Sequence, residues 1–251
     1  MLTRVFAVGL LAGLLAGLIV ALLQAYTTTP LILEAERFEN APAAAHAAAA
    51  SAFAPARLIL VHDAHEHAHA DSASEWQPSE GLERTLFTAI ATIGTAVGFA
   101  LILIAGMLWS GDRINETNAM AWGAAGFAAA GLAPAMGLAP EIPGMMAADL
   151  FARQQWWLTT CAATAAALWL FLRAEQPWLR LIAVILLIAP HAIGAPHLGA
   201  EASGDLVPAE LAARFAATSL AVQATLWIAT GYFVGLLWTR IGAGEDSADG
   251  L

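Results

Sequence analysis

The chain has 251 residues, of which 59% are hydrophobic and only 12% are charged, and its mean hydropathy is +0.68. Soluble domains carry about twice that charged fraction, so the composition excludes an ordinary soluble protein and favours an all-α integral membrane protein. The net charge of −10 argues against nucleic acid and against anionic lipid as the main partner. A single cysteine, Cys161, excludes a disulfide framework and a cysteine-based zinc site.

Six apolar segments are candidates for membrane spans, since about 20 apolar residues cross about 30 Å of hydrocarbon. The predicted spans are residues 5–25, 86–109, 119–138, 156–172, 178–196 and 214–238. The first is interpreted as a retained span rather than a cleaved signal peptide, because it is longer than a usual signal core and lacks a small-x-small cleavage pattern. The third is rich in Ala, Gly and Pro, so five spans with an inverted C-terminal half remain the alternative.

Glycines spaced by four residues predict close helix packing in three of these segments. They are Gly9, Gly13 and Gly17 in the first, Gly94 and Gly98 in the second, and Gly231 and Gly235 in the sixth.

Two hydrophilic regions complete the predicted organisation. Residues 26–85 form a long loop rich in histidine and acidic residues, and residues 241–251 form a short acidic tail that we expect to be disordered. Placing the N-terminus in the cytoplasm puts every histidine and most acidic residues outside. The arginine bias between the two sides is weak, so this orientation depends mainly on the histidines and acids.

The stretch from Gly131 to Trp157 carries the strongest helix-breaking signal. Pro134, Pro140 and Pro143 fall within ten residues, and each removes a backbone donor. A helix arriving at Gly131 is therefore expected to unwind and to leave backbone carbonyls without partners, as in the ion sites of transporters. An ordinary loop between two spans is the alternative. Arg153 is expected to form an ion pair with Glu141 or Asp149.

The sequence VHDAHEHAHAD within the long loop contains four histidines interleaved with carboxylates. Imidazole and carboxylate ligands together suit divalent first-row metals. The spacing fits no fixed site, so we interpret this segment as a flexible loop that captures metal ions; a solvated linker is the alternative. The histidines are His62, His65, His67 and His69.

A more selective metal site is predicted where the fifth span ends. His191 and His197 each follow a proline there, and ionisable residues at such positions usually face the bundle interior. Interfacial histidines that only reach the headgroups are the alternative. Glu141, and Glu34 or Glu36 beyond the first span, are the candidate carboxylate ligands on the same side.

Several stretches together resemble the predicted cobalt transporter subunit family CbtA. The matching pieces, in chain order, are TTTPLILEAERFE, EWQPSEGLERTLFTAIATIGTAVGFAL, AMAWGAAGFAAAGLAPAMGLAPEIPG, ARQQWW and APHAIGAP. The resemblance implies a bacterial inner-membrane protein for cobalt uptake connected with cobalamin synthesis. It also implies a small one-span partner with histidines, CbtB. Family members are usually described with about five spans, so a count of six departs from the family.

These observations predict a membrane subunit, not an enzyme, that takes up a divalent transition metal. Cobalt is favoured as the transported ion, and nickel or zinc would accept the same ligands. The alternative is a metal-binding accessory or sensor protein that does not itself transport. An enzyme is disfavoured because the sequence presents no nucleophile–base set, and the P-loop pattern of ATP-binding proteins is absent.

Overall fold

A computed structural model describes residues 1–38, 78–79, 81–197 and 206–248 of the chain. Within these ranges all regular structure is helical. The helices are α1 (Leu2–Tyr26), α2 (residues 28–38), α3 (Leu82–Ser110), α4 (Glu116–Phe127), a π-helical turn (Ala128–Leu132), α5 (Ala133–Ala135), α6 (Leu150–Arg173), α7 (Pro177–Ile193) and α8 (Ala209–Ala248).

The helices run back and forth between two ends of one bundle. At the end that we call the terminal end, the Arg4 guanidinium near the start of α1 donates to the Trp238 carbonyl of α8 at 2.5 Å, and Arg173 at the end of α6 pairs with Asp112 after α3. At the opposite end, which we call the proline end, Leu31 and Ala35 of α2 form a buried cluster with Ile142 and the start of α8. Consecutive long helices therefore enter at one end and leave at the other.

Three helices in the described ranges are long and apolar enough to cross a membrane by themselves: Leu2–Tyr26, Leu82–Ser110 and Ala209–Gly242. Helix α7 is apolar but shorter, with 17 residues. Six independent spans, as expected from the sequence, are therefore not found. The predicted third span is divided between α4, the π-helical turn and α5, and the predicted fourth lies in α6, whose Gln, Thr and Trp residues make it less apolar.

Small residues on α1 and α8 set the distance between neighbouring helices. A Cβ atom at Gly13 would lie 2.4 Å from the Val97 Cα atom of α3, and one at Gly235 would lie 2.4 Å from the backbone of Asn115. The packing predicted for the glycines of α1 and α8 is thus confirmed. Gly94 and Gly98 make no such contact within the described part of the chain, because no heavy atom lies within 4 Å of a Cβ built at either position. A contact between chains at these two glycines stays a prediction.

The two regions predicted to be a hydrophilic loop (residues 26–85) and a disordered tail (residues 241–251) both contain helix. The region predicted as loop from residue 26 contains α2, in which Leu31 and Ala35 are buried. Burial of these apolar side chains against Ile142 explains why the segment folds back as a helix rather than remaining a solvated loop. Helix α8 continues to Ala248, so most of the tail expected to be disordered is helical.

Candidate functional site at the proline end of the bundle

The helix that enters the proline-rich stretch widens before it ends. It does not unwind at Gly131, as the sequence suggested; it becomes a π-helix over Ala128–Leu132 and ends at Ala135. Pro134 explains this, because its ring would clash with a carbonyl one turn earlier and it has no N–H to donate. A π-helical turn relieves the clash by making room for an extra residue, and such turns are frequent at functional sites.

Pro140 and Pro143 lie beyond this helix in non-helical backbone, which reverses direction before α6. The Asp149 side chain caps α6 by accepting a hydrogen bond of 2.9 Å from the Ala152 backbone N–H. One turn into α6, the Arg153 guanidinium donates to the Glu141 carboxylate at 2.5 Å. This ion pair, one of the two predicted for Arg153, holds the loop against the helix.

A cavity of about 520 Å³ opens between the widened helix, the loop and α6; we call it the proline-end cavity. Its polar lining includes Glu141, Arg153, Gln154 and Gln223, and Pro134 contributes to its wall. The volume lies within the range of about 300–1,000 Å³ that ligand sites occupy. The cavity therefore combines a carboxylate, two amide side chains and interrupted helical backbone, which are the oxygen-rich groups that coordinate cations.

Gln223 of α8 is a cavity residue that the sequence reading missed. A Cβ atom at Gly131 would lie 2.4 Å from the Gln223 amide oxygen, so this side chain rests directly on the π-helical turn. Its isolation within an apolar span was a usable signal, since polar residues inside spans usually face the protein interior.

His191 adjoins this cavity without lining it. Its ring packs edge-on against Trp156, with 6.0 Å between ring centroids, and Trp156 in turn lies against Gly137 of the proline-rich stretch. Ala195 also reaches Gly137, at 3.0 Å from a Cβ built there. The end of α7 and the proline-rich stretch are therefore neighbours, and the Trp156 ring contacts both His191 and Gly137.

The remaining predicted ligands lie at the same end. His197 is exposed after α7, and Glu34 is exposed on α2. Glu36 is held by Arg84, whose guanidinium donates to it at 3.0 Å. This hydrogen bond, together with the Arg84 charge and against the opposing effect of burial, lowers the pKa of Glu36 below its ordinary value. Glu36 is thus an ionised carboxylate already engaged by a cationic partner.

The five ligands predicted from the sequence outside the histidine loop share one end of the bundle but are not assembled into one site. Among the described residues, no three His, Cys, Asp or Glu side chains form a group that could hold a metal ion. The four loop histidines, His62, His65, His67 and His69, lie outside the described ranges.

A second ion pair marks the terminal end of α6. Arg173 pairs with Asp112, which also accepts a hydrogen bond of 2.9 Å from the Trp122 indole N–H. Burial opposes ionisation of Asp112, but these hydrogen bonds outweigh it and lower the pKa of Asp112 below its ordinary value. Each end of α6 therefore carries an arginine held by a carboxylate.

Comparison with known proteins identifies a family that matches this chain. The sequence model of the family described as "Probable cobalt transporter subunit (CbtA)" matches residues 2–239, nearly the whole chain. No curated protein and no solved structure gives a significant match.

Proposed function

Since the chain belongs to the CbtA family of probable cobalt transporter subunits, we propose that it takes up cobalt across the bacterial inner membrane and so supplies cobalamin synthesis. The family match over residues 2–239 is the observation that carries the proposal. The proline-end cavity supports it by placing a carboxylate, Glu141, and two amide side chains, Gln154 and Gln223, in a wall that is otherwise mainly apolar. A small one-span subunit with histidines, CbtB, is the proposed partner.

The proposed orientation has the terminal end in the cytoplasm and the proline end outside. His191, His197, Glu34 and Glu36 all lie at the proline end, and their expected position outside the cell supports this orientation. Arginines are similarly numerous at both ends, so they do not decide it. Reporter fusions after Gly111 and after Gly144 test this. We expect an intracellular signal from the first fusion and an extracellular signal from the second. The reverse pattern would show that the protein is inserted in the opposite orientation.

In the proposed entry step, a cobalt ion reaches the Glu141 carboxylate in the proline-end cavity. The Arg153 guanidinium is paired with that carboxylate, so the divalent ion must displace a monovalent cation as it enters. Oxygen atoms of Gln154, Gln223 and the backbone before Pro134 replace water on the ion. His191 and His197, with Glu34 or Glu36, are proposed to guide the ion to this entrance, and the four loop histidines to concentrate it outside.

Cobalt accumulation in cells, measured by mass spectrometry with and without this protein and its partner, is the primary experiment. Equal accumulation at trace cobalt would refute the uptake proposal. Nickel and zinc added as competitors report selectivity. Reconstitution of the purified protein alone in liposomes separates transport from the accessory role, because an accessory subunit would bind cobalt without passing it.

Two matched comparisons test the proposed residues. Glu141→Gln keeps the shape of the side chain and removes its charge, so the KM for cobalt should rise by about tenfold, as expected for the loss of a charged partner. Glu175→Gln, an exposed carboxylate after α6 at the terminal end, is the control and should leave KM unchanged. Likewise, His191→Ala should reduce uptake far more than deletion of residues 62–70, and the opposite ranking would relocate the selective site to the loop.

A further inference from the structure

A second cavity, of about 410 Å³, lies between α3 and α6 near the terminal end of the bundle. Over the whole of these two helices, no Cα atom of α3 comes within 8 Å of a Cα atom of α6, so their backbones leave a gap. Helix α4 packs against both and forms the floor of this gap. We call the space the tryptophan cavity, since its lining includes Trp122, Trp169 and Trp227.

The lining of the tryptophan cavity is almost wholly apolar. Several of its side chains are exposed at the surface of the bundle, among them Ile102 of α3, Ala121 of α4 and Leu172 of α6. Among the described residues that line it, Arg173 is the one with a charge, and none is a carboxylate or a histidine. Apolar cavities exclude water and bind apolar molecules. The cavity therefore suits a hydrocarbon chain that enters from the membrane.

Arg173 lies at the polar end of this cavity. It is the last residue of α6, its side chain is 41% exposed, and its guanidinium carbon lies 5.0 Å from the centre of the Trp169 ring. One guanidinium nitrogen, Nη2, donates to Asp112, and within the described ranges the other two nitrogens have no hydrogen-bond acceptor. A guanidinium presents its donors in a fork that matches phosphate oxygens. Arg173 can therefore hold Asp112 and a phosphate at the same time.

A cluster of tryptophans fixes Arg173 in this position. The Trp169 ring stacks on Trp109 with 5.2 Å between centroids and meets Trp122 edge-on at 6.2 Å. The Trp122 indole N–H donates to Asp112, the carboxylate that also holds Arg173. Tryptophan is enriched where the hydrocarbon of a membrane meets the headgroups. The apolar wall, the indole rings and the guanidinium thus follow one another in the order of groups along a phospholipid, from its chain to its phosphate.

From this match we propose that the tryptophan cavity holds one acyl chain of a membrane phospholipid, with the phosphate of the same lipid bound to Arg173. Asp112 offsets part of the Arg173 charge, so the site recognises the phosphate without requiring a lipid of net negative charge. This agrees with the net charge of −10, which disfavours anionic lipid as a main partner. The site is independent of cobalt transport, and its lipid gives α3 and α6 a common neighbour across the gap between them.

A phospholipid fits this gap better than the helix of a partner subunit does. The Trp109–Trp169 stack bridges α3 and α6 near the terminal end. A helix with its side chains is about 10–12 Å wide, and a helix that crosses the whole membrane would meet the stack in its path. An acyl chain is a single row of methylene groups, reaches only partway through the membrane and needs no such width.

Lipid binding to the full chain tests the proposal. The protein, purified in a maltoside detergent that carries no phosphate, is titrated with phosphatidylethanolamine and followed by native mass spectrometry. One lipid should bind more tightly than any further ones. Diacylglycerol with the same chains lacks the phosphate, and its Kd should be about fivefold higher, as expected for the loss of a partly exposed charged contact.

Substitution of Arg173 tests the phosphate contact. Arg173→Gln should raise the Kd for phosphatidylethanolamine about fivefold and leave the Kd for diacylglycerol unchanged, because only the contact with the phosphate is lost. A merely structural role of Arg173 would weaken the binding of both lipids. Arg180→Gln is the matched control and should change neither Kd, since Arg180 is exposed at the same end but does not line the cavity.

Two adjacent positions on α6 test the cavity itself. Ala165 lines the tryptophan cavity and Ala166 does not, although both side chains are exposed. Ala165→Phe should therefore abolish the tight binding of either lipid, and Ala166→Phe should preserve it. A phosphatidylethanolamine with a photoreactive diazirine in its acyl chain should label peptides of α4 and α6, and Ala165→Phe should remove this label.

Three results would overturn the proposal. Equal binding of the two lipids, or a Kd for phosphatidylethanolamine that Arg173→Gln leaves unchanged, would refute the phosphate contact. Labelling that is spread evenly over the lipid-facing helices and is unaffected by Ala165→Phe would mean that only ordinary bilayer lipid surrounds the protein. Loss of the label on addition of a one-span partner subunit would assign the cavity to a helix of that subunit instead of a lipid.

Discussion

Replacement of Gly13 by alanine tests how closely α1 and α3 must pack. The added Cβ atom would lie 2.4 Å from the Val97 Cα atom and 2.5 Å from the Val97 backbone nitrogen. These are backbone atoms, so no side-chain rotation relieves the contact. Restoring an ordinary separation of 3.4 Å requires the two helices to move apart by about 1 Å, which would also loosen the neighbouring contacts of Gly9 and Gly17 with α3.

Overpacking of this kind costs about 1–3 kcal/mol. Gly98→Ala on α3 is the matched control, because a Cβ atom there meets nothing within 4 Å. Alanine is the better helix former by about 1 kcal/mol, and this gain applies at both positions. The two variants should therefore differ by about 1–3 kcal/mol, and at about 2–4 °C per kcal/mol for a chain of this size Gly13→Ala should melt roughly 2–12 °C lower.

Thermal unfolding in detergent, followed by loss of the monodisperse chromatographic peak at a fixed heating rate, measures this difference. A Gly13→Ala protein that melts at or above the temperature of Gly98→Ala would refute the close α1–α3 contact. Wild type, examined in the same series, shows whether Gly98→Ala is itself stabilising, as its open surroundings predict.

Three further predictions concern polar contacts. Stability should fall as the pH drops through the lowered pKa of Glu36, because protonation removes the ion pair with Arg84 that favours folding above the ordinary carboxyl pKa. The melting temperature of Glu36→Gln should lose this part of its acid dependence. A pH profile identical to that of the wild type would contradict the assignment. Arg153→Gln should lower the KM for cobalt by up to about fivefold, because a partly exposed ion pair contributes at most about 1 kcal/mol. Arg37→Gln, on the exposed side of α2, is the control and should leave the KM unchanged. A KM that rises in Arg153→Gln would show that Arg153 helps to hold the entrance open. Asn115→Ala should destabilise the protein by about 1 kcal/mol, because the Asn115 side chain caps α4 by accepting from the Asn118 N–H at 2.9 Å, and circular-dichroism melts that match wild type would contradict the cap.

Sequence reasoning placed the predicted ligands at one end of the molecule but did not predict most of the contacts between distant segments. The prolines, Glu141 and Arg153 were read correctly as one unit, since a charge pair beside broken helix is visible in the order of residues. The partner of Glu36 was not predicted, because Arg84 lies 48 residues away and only the antiparallel return of the chain brings it close. For the same reason the Arg173–Asp112 pair, separated by 61 residues, left no local pattern.

The span count shows where hydropathy alone stops being informative. Helices α1, α3 and α8 are apolar on nearly all sides, so they are recognisable by composition. The segment from Glu116 to Ala135 is rich in alanine and glycine because it packs against α8: a Cβ atom at Gly123 would lie 2.4 Å from the Trp227 carbonyl oxygen. Its residues are selected for close contact rather than for exposure to lipid, which weakens the signal that hydropathy measures.

By itself the sequence determined that this is a helical membrane protein, that it resembles one family along its length, and that a proline-rich break lies beside Glu141 and Arg153. These properties depend on composition and on neighbours in the chain. Only the tertiary structure decided that the break is a π-helical turn and that Gln223 reaches it from α8. Those features arise where distant segments pack against each other, and their geometry is set by side-chain volumes on both partners, which a one-dimensional pattern does not record.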